Sequence, residues 1–541
     1  MTTEFDTALG SSIQRRLRRT HTVSRIVISE AFWLGLLLAA TLLVAGVRLG
    51  DYPRICFDEG YYLQLAKNLV LHGEYALVNP PQELDRFGLG NSSPTLILPI
   101  ALAFRFFGVG IVQARLVSAI YLMGAVVAGY VLLRHLYGWP TAALAEALFI
   151  VAGPTTVSLF QGGTLISEFS TIWMGRKVLG EIPALFFALL GAWAWFRGWE
   201  QVRVWWLIGA GLLFGLTFVT KEQFLLIVGP VLGLMWIVDR LYYRRLRFQH
   251  LAIPLVLSGI PLGIWYGYKL AVLGPEAFGR HLVTLSEVSR ASTWLVDPGR
   301  WPARFSFLYN NAFHLVGLTG ILYTLALSMR RDLRGLKSSF LPILSVWFVC
   351  WFAFLSIGWP RYAYPGLAIS SALAAKPLVD LIGELPVGLR HLWARVRSGG
   401  MIWALVATVV AVVAVGYPLQ DLIRQVLFDT DRTPQEFAAY IEAHTEPNVL
   451  IENFEWELDF LSERHYHHPS PEVFVQLLRN DPNRTYDPLV YAPDYLVDGI
   501  YSKGTGLYPT ELLEQCCRRV GSVGEYDLYA VLDVESRRDD G

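Results

Sequence analysis

Cysteine is scarce in this chain of 541 residues, which holds four, at Cys56, Cys350, Cys516 and Cys517. Four are too few for a disulfide framework, and adjacent cysteines such as Cys516 and Cys517 have an awkward geometry for bridging each other. The chain also lacks the Gly-rich loop ending in Lys-Ser or Lys-Thr that binds nucleotide phosphates. These absences disfavour redox chemistry and ATP-driven pumping.

Charge is also low. Charged residues make up 17% of the chain, hydrophobic residues make up 54%, and the mean hydropathy is +0.40. This composition is too apolar for one soluble body and predicts a polytopic membrane protein in contact with the lipid bilayer. The 45 basic and 45 acidic residues balance, and no signature of nucleic-acid binding is present. We therefore expect no nucleic-acid partner.

Apolar runs predict about eleven membrane spans. Their approximate bounds are 26–49, 111–134, 139–160, 178–196, 205–219, 224–238, 251–273, 312–329, 340–357, 362–381 and 401–417. Segment 94–107 is short and contains Pro94 and Pro99, so we interpret it as dipping into the membrane and returning. With that interpretation the basic loops all lie on the cytoplasmic side, as the positive-inside rule requires: Arg134-His135, Arg197 to Arg203, Arg240 to Arg247, Arg330 to Lys337 and Arg390 to Arg397.

The pattern divides the chain into three parts. Residues 1–25 carry Arg15, Arg16, Arg18 and Arg19 before an apolar run without a small-residue cleavage site, which predicts a cytoplasmic tail and a retained first span. Residues 26–419 form the transmembrane catalytic domain, with large outer loops at 51–110 and 274–310. Polar residues and prolines increase in 420–541, which predicts a small extracytoplasmic α/β domain. Its predicted strands are 448–451 and 527–532, and its predicted helices are 434–444 and 471–479.

An acidic pair, Asp58-Glu59, follows the first span and opens a predicted amphipathic helix. The helix has an apolar stripe of Tyr62, Leu65, Ala66 and Leu69, polar residues Gln64, Lys67 and Asn68 on the other face, and an end at Gly73. Such a helix is expected to lie in the membrane interface, with its dipole favouring ionised carboxylates at its N-terminus. A carboxylate there can serve as a base.

Other ionisable side chains lie at span ends on the same predicted side. Lysine and arginine at this depth can hold the phosphate of a lipid, and a carboxylate can take a proton. Sugar transfer from a polyprenyl phosphate needs one base and stabilisation of the departing phosphate, whereas glycoside hydrolysis calls for two carboxylates. We assign Asp58 and Glu59 to catalysis; the predicted phosphate-binding residues are Lys221, Arg361, Arg176 and Lys177, and the predicted substrate-binding residues are Glu181, Tyr62 and Glu222.

Structural roles remain open for several of these residues. Asp58 could cap the helix, and Glu59 could pair with Lys67. Lys221 and Arg361 could be snorkelling side chains at span ends. The run Arg464-His465-Tyr466-His467-His468 lacks the spaced second ligand set of a zinc site, so we assign no metal to it. A divalent cation beside Asp58 and Glu59 remains an alternative, although the sequence offers few acidic residues for the second cluster that would complete such a site.

The order of several motifs resembles the GT-C superfamily of membrane glycosyltransferases, in particular its bacterial protein O-mannosyltransferase and aminoarabinose-transferase-like branch. The motifs are Asp58-Glu59-Gly60-Tyr61-Tyr62, Gly73-Glu74-Tyr75, Phe107-Gly108-Val109, Ala114-Arg115-Leu116, Leu179-Gly180-Glu181-Ile182-Pro183-Ala184, Arg361-Tyr362, Glu455-Trp456-Glu457-Leu458, Phe460-Leu461 and Pro493-Asp494-Tyr495-Leu496. The resemblance implies an inverting transferase that uses a polyprenyl-phosphate sugar, with Asp58 as the catalytic carboxylate and Lys221 as a phosphate contact. At Glu181 many relatives carry aspartate.

The expected partners are therefore a polyprenyl-phosphate-linked sugar and an acceptor hydroxyl on a glycolipid, polysaccharide or protein. The expected location is the bacterial plasma membrane. A multi-span transporter or flippase of lipid-linked sugars is the alternative, but the ionisable residues lie toward one surface rather than near the midplane. A third hypothesis is a non-catalytic scaffold whose exported domain binds cell-wall polymer.

Overall fold

The computed structural model describes residues 30–78, 85–88, 93–152, 170–309, 312–383, 400–481 and 484–532. Three predictions lie wholly or partly outside these residues: the arginine-rich tail 1–25, the basic loop Arg390 to Arg397, and the end of the predicted span 139–160.

Helices account for most of the described residues. In chain order they are α1 (Glu30–Gly46), α2 (Phe57–His72), α3 (Pro94–Phe107), α4 (Ile111–Tyr137), α5 (Trp139–Val151), α6 (Thr171–Arg176), α7 (Glu181–Glu200), α8 (Val204–Thr220), α9 (Leu225–Val238), α10 (Phe248–Ser292), α11 (Trp301–Tyr309), α12 (Ala312–Ser328), α13 (Leu333–Leu355), α14 (Pro360–Leu373), α15 (Ala375–Gly383), α16 (Gly400–Phe428), α17 (Thr433–His444), α18 (Trp456–Leu461), α19 (Pro471–Arg479), α20 (Ile500–Thr505) and α21 (Thr510–Cys516).

Each predicted span overlaps one of these helices, except that 362–381 covers α14 and α15 together. This agreement confirms the polytopic α-helical class. Among the described residues, 7 helical stretches are long and apolar enough to cross a membrane, and shorter apolar helices, α1, α5 and α8 among them, accompany them. Helix α3 has 14 residues and a length of about 21 Å, less than the roughly 30 Å of a hydrocarbon core.

The predicted outer loop 274–310 is wrong as a loop. Helix α10 continues to Ser292 beyond a kink at Gly274, where φ is +75°, and α11 follows at Trp301–Tyr309. Gly274 and Pro275 produced the apparent end of the span, because this pair resembles a helix terminus in sequence. The chain turns at the glycine and resumes a helix of mixed polarity.

Close helix packing forms the core of the transmembrane part. Helix α8 contacts both α7 and α10. At Gly215 of α8, an added Cβ would lie 2.5 Å from the carbonyl oxygen of Ser258 in α10. Only glycine permits that approach of two backbones, as is common where membrane helices pack.

The C-terminal part contains a five-stranded sheet of strand order β4-β3-β5-β7-β6. Its strands are β3 (Leu450–Glu452), β4 (His465–His467), β5 (Tyr495–Asp498), β6 (Cys517–Val523) and β7 (Tyr526–Val531), after a small hairpin of β1 (Ala76–Leu77) and β2 (Asp85–Arg86). Strand β3 is parallel to β4 and β5, and β7 is antiparallel to β5 and β6. The α/β class and the four elements predicted from sequence are confirmed here.

Helix α2 has the predicted extent and ends at Gly73 with φ +74°, but it does not lie exposed in an interface. Its polar residues Gln64, Lys67 and Asn68 are buried, as are Tyr62, Leu65 and Ala66 of the apolar stripe. Asn68 donates to the carbonyl oxygen of Ala76 at 2.8 Å, and Lys67 pairs with Glu463 at 3.0 Å. A polar helix face predicts contact with water, lipid headgroups or polar protein groups. In α2 the polar face contacts polar groups of the protein itself.

The first turn of α2 packs directly on α18. An added Cβ at Gly60 would lie 2.4 Å from the Cα of Glu457, so only glycine fits between these two backbones. The Phe57 ring lies among aromatic rings of the C-terminal part, with Tyr501 at 4.9 Å and Phe454 at 5.2 Å between centroids. This contact fixes the position of the adjacent Asp58 relative to the C-terminal part.

Candidate active site

A cavity of about 1230 Å³ lies between the transmembrane helices and the C-terminal part. The charged side chains that line it are Arg54, Asp58, Lys177, Arg300, Arg361, Asp429, Asp431, Glu457 and Glu525, and the aromatic ones include Phe57, Trp173, Trp359, Phe474 and Tyr501. A cavity of this size with a few converging charges and aromatic walls is typical of a ligand-binding site.

Asp58 lies in the first turn of α2 and faces this cavity. Its carboxylate accepts a hydrogen bond from Arg361, which lies in the first turn of α14, and about a third of the Asp58 side chain remains exposed (35%). Arg361 is more buried, and its guanidinium packs on the Trp359 ring at 4.6 Å from the centroid. The two side chains form an ion pair that is open to the cavity on the carboxylate side.

Behind this pair lies a second one. Glu181 opens α7 and pairs with Lys221 at 3.0 Å, and its carboxylate oxygen is 3.9 Å from Arg361 Nε. Arg361 thus lies between two carboxylates, those of Asp58 and Glu181. Neither Glu181 nor Lys221 lines the cavity among the described residues, so both contact it through Arg361. Tyr62 is buried and close enough to interact electrostatically with Lys221.

Lys177 follows α6 directly and lines the cavity. Its ammonium group lies over the Trp173 ring at 4.0 Å from the centroid, a cation–π contact. Lys177 and Arg361 are thus two of the cations in the wall of the cavity.

Arg176, the neighbour of Lys177, lies elsewhere. It is fully buried, and its guanidinium donates to the backbone carbonyl oxygens of Val44 at 2.5 Å, Val47 at 2.7 Å and Tyr52 at 2.7 Å. These carbonyls belong to the end of α1 and the turn after it. Arg176 therefore holds the connection between α1 and α2, and it is not among the cavity-lining residues.

Glu59 also points away from the cavity. Its carboxylate receives two hydrogen bonds from Arg115, at 2.8 and 2.7 Å, and one from the backbone N–H of Val178 at 3.1 Å. Both side chains of the pair are buried. The alternative pairing of Glu59 with Lys67 does not form, because Lys67 pairs with Glu463. The bidentate geometry ties α2 to α4.

Glu222 belongs to a different cluster. It accepts a hydrogen bond from the Tyr266 hydroxyl at 2.7 Å, on α10, and does not line the cavity. Three of the nine predicted site residues line the cavity: Asp58, Lys177 and Arg361. Three more, Glu181, Lys221 and Tyr62, lie directly behind Arg361.

The sequence analysis assigned no role to Glu457, which lines the cavity from α18. It is buried, and the Tyr526 hydroxyl donates to it at 2.6 Å. Burial raises the pKa of Glu457, while Tyr526 and the nearby Arg54 and Lys177 act in the opposite direction. The sequence signal that could have identified Glu457 is the pair of acidic residues that flank Trp456 in an apolar stretch.

Glu455, two residues earlier, faces the interior of the C-terminal part. It accepts hydrogen bonds from the backbone N–H groups of Tyr501 at 2.9 Å and Ser502 at 3.0 Å. Burial and the neighbouring Glu457 carboxylate raise the pKa of Glu455 to about 8. At neutral pH the Glu455 carboxyl group is therefore mostly protonated.

A divalent cation finds little support in this donor set. Glu59 is occupied by Arg115 and Val178, so it does not join Asp58 as a ligand. Within the described ranges, no three His, Cys, Asp or Glu side chains form a metal-ligating group. His467 and His468 pair instead with Glu452 at 2.5 Å and Asp459 at 2.6 Å.

No protein-family model matches the chain, and no curated protein matches it by sequence. Solved structures do match it. ArnT from Cupriavidus metallidurans bound to undecaprenyl phosphate has a TM-score of 0.60 at 15% identity, over 93% of this chain and 99% of ArnT. Its apo state gives 0.61 at 16% identity, over 93% and 98%.

The Archaeoglobus fulgidus oligosaccharyltransferase, tethered with an acceptor peptide, has a TM-score of 0.56 at 13% identity, over 94% of this chain and 74% of that protein. A further structure of that oligosaccharyltransferase is a complex with Zn and sulfate. At these identities the likeness establishes the fold. The chain therefore has the GT-C fold of polytopic membrane glycosyltransferases, as its sequence motifs implied.

Proposed function

We propose that this chain is an inverting glycosyltransferase that moves a sugar from a polyprenyl-phosphate donor to an acceptor hydroxyl on the extracytoplasmic side of a bacterial plasma membrane. The main support is the cavity in which the Asp58 carboxylate and the cations Arg361 and Lys177 meet. The likeness to ArnT bound to undecaprenyl phosphate supports a lipid-linked donor.

Asp58 is the proposed base. The acceptor oxygen attacks the anomeric carbon of the sugar, and the bond from that carbon to the phosphate oxygen breaks on the opposite face, which inverts the configuration. The acceptor proton passes to the Asp58 carboxylate, and the electron pair of the broken bond leaves with the polyprenyl phosphate. No acid is needed, because a phosphate oxygen is a weakly basic leaving group.

Arg361 and Lys177 are the proposed phosphate contacts. Without substrate, Arg361 is bound to Asp58. A donor phosphate in the cavity competes for the same guanidinium, since both are oxyanions, and so frees the Asp58 carboxylate for the acceptor. Base and phosphate site are thus coupled through one side chain. Glu181 and Lys221 position Arg361 from behind.

The proposed orientation rests on the positive-inside rule. Basic residues concentrate in loops such as Arg240 to Arg247 and Arg330 to Lys337. The number of spans that separate these loops from Asp58 and Arg361 places the loops on one side of the membrane and the two residues on the other. The cavity and the C-terminal part are then extracytoplasmic. The N-terminus is cytoplasmic.

Deletion of the gene tests the function directly. Mass spectrometry of the strain is expected to find one lipid-linked sugar in excess, and the wild-type gene should remove it while Asp58→Asn should not. The matched control is Asp429→Asn, which changes another carboxylate of the cavity wall and should restore wild-type levels. No accumulating lipid, or full complementation by Asp58→Asn, would contradict the proposal.

Reconstituted vesicles separate transfer from transport. A transferase cleaves the sugar–phosphate bond and releases bare polyprenyl phosphate. A flippase leaves the lipid-linked sugar intact and changes only its leaflet. Chemical analysis of the lipid after incubation therefore distinguishes the two.

A further inference from the structure

Glu457 has one carboxylate oxygen that the described parts of the protein do not satisfy. Tyr526 donates to Oε1 at 2.6 Å, whereas Oε2 is buried and has no hydrogen-bond partner among the described residues. The side chain is 1% exposed and yet lines the cavity that holds Asp58. Leaving a buried acceptor without a partner is unfavourable, so its retention at a ligand cavity points to a partner supplied by the ligand.

The side chain is rigidly held. Its backbone packs against Gly60 of α2 so closely that an added Cβ would lie 2.4 Å from Glu457 Cα. On the other side, Tyr526 of β7 fixes one carboxylate oxygen. Glu457 therefore lies against Gly60, which is two residues after Asp58 on α2. Its side chain has little freedom to turn elsewhere.

The surrounding charges define the ligand group. Burial raises the pKa of Glu457, and Lys177 and Arg54, which oppose that rise, already lie beside its carboxyl group. A phosphate would be repelled by it. A neutral O–H donor fits best, and aromatic side chains such as Trp359 and Tyr501 in the same cavity can pack against the apolar faces of a sugar ring.

We propose that Glu457 is a specificity-determining residue that accepts a hydrogen bond from a hydroxyl group of the bound substrate. This proposal rests on the proposed function. The hydroxyl belongs either to the sugar on the donor lipid or to the acceptor, and both present the same chemistry. The C-terminal part then takes part directly in selecting what is transferred.

Glu457→Gln in the full-length chain, reconstituted in lipid nanodiscs, tests the proposal. The probes are bare undecaprenyl phosphate and the lipid-linked sugar purified from the deletion strain. We expect unchanged affinity for bare undecaprenyl phosphate. If the hydroxyl is on the donor sugar, the Kd of the sugar-bearing lipid rises about tenfold, the order of magnitude of one hydrogen bond.

If the hydroxyl is on the acceptor, both lipid affinities stay unchanged. The amount of deletion-strain membrane needed for half-maximal transfer then rises about tenfold. Either result supports the proposal. Equal values for Glu457→Gln and wild type in all three measurements overturn it, and so does an equal loss of affinity for the bare and the sugar-bearing lipid, since that marks a structural role.

Two further variants serve as controls. Glu455→Gln changes the neighbouring acid, which faces backbone N–H groups rather than the cavity, and should leave all three measurements unchanged. Tyr526→Phe removes the hydroxyl that positions Glu457 and should give a smaller change of the same kind, about threefold. If wild-type protein binds no undecaprenyl phosphate at all, the proposed function fails, and this inference with it; a defect confined to Glu457→Gln separates the two cases.

Discussion

Arg361 binds the carboxylate of Asp58 although the two residues are 303 positions apart in the chain. One lies in the first turn of α2 and the other in the first turn of α14, so the pair joins two distant helix N-termini at the wall of one cavity. The geometry makes the base and the phosphate contact interdependent. A change in either residue should therefore affect both donor binding and transfer.

Arg361→Ala is expected to weaken undecaprenyl phosphate binding by about 10- to 100-fold, because charge-assisted hydrogen bonds contribute about 1.5–3 kcal/mol each. Arg361→Lys should recover only part of the affinity, since lysine keeps the charge but not the bidentate fork. Binding isotherms in nanodiscs measure both. Arg280→Ala is the control, because Arg280 is exposed and its ion pair, with Glu276, lies within the same helix. Equal affinities for Arg361→Ala and Arg280→Ala would remove Arg361 from the phosphate site.

Lys221 offers a test of indirect action. Lys221→Ala leaves the buried Glu181 carboxylate without its ammonium partner at 3.0 Å, and Glu181 then attracts Arg361 more strongly. Donor affinity should fall, and the double variant Glu181→Gln with Lys221→Ala should regain most of it. Recovery indicates that Lys221 acts through Arg361. A double variant as weak as the single one would show instead that Lys221 contacts the phosphate itself.

Hydropathy and helix signals were sufficient for much of the architecture. The spans follow from apolar runs, and α2 follows from the stripe of Tyr62, Leu65, Ala66 and Leu69 with a stop at Gly73. These features depend on residues close together in the chain. The surroundings of α2 do not, and its polar face is buried by residues as distant as Glu463.

Arg176 and Lys177 illustrate what the sequence could not resolve. Both are basic, adjacent and at the same predicted span end, yet Arg176 binds carbonyl groups near the end of α1 while Lys177 lines the cavity. Which side each faces depends on the position of the α1–α2 turn, a long-range property. Glu457 is a similar case, because its role depends on the contact between Gly60 and α18.

Glu59 should contribute to stability rather than to the chemical step. Glu59→Ala leaves Arg115 buried and unpaired, and breaking a buried ion pair typically costs about 3–5 kcal/mol. We expect a marked loss in melting temperature, whereas the double variant Glu59→Gln with Arg115→Met should restore much of the stability and retain transfer. Thermal unfolding and transfer assays measure the two effects. A stable double variant that has lost transfer would assign Glu59 a direct catalytic role.

The stability of the C-terminal part should depend on pH through Glu455. Its pKa is raised from 4.5 to about 8 in the folded protein, so the folded state holds a proton that the unfolded state has released between those values. The contribution is complete below the unfolded pKa and is lost as pH rises through about 8. The melting temperature of the wild type should therefore fall between pH 5 and pH 9.

Glu455→Gln isolates this effect, because glutamine resembles the protonated acid: its carbonyl oxygen can still accept from the N–H groups of Tyr501 and Ser502, and it carries no charge beside Glu457. At pH 5 the variant should unfold with the wild type. At pH 9 it should melt higher by at least about 4 °C, since 1 kcal/mol corresponds to a few degrees for a small domain. Thermal unfolding curves at both pH values measure the difference, and a gap that is equal at pH 5 and pH 9 would show that Glu455 does not hold a proton in the folded protein.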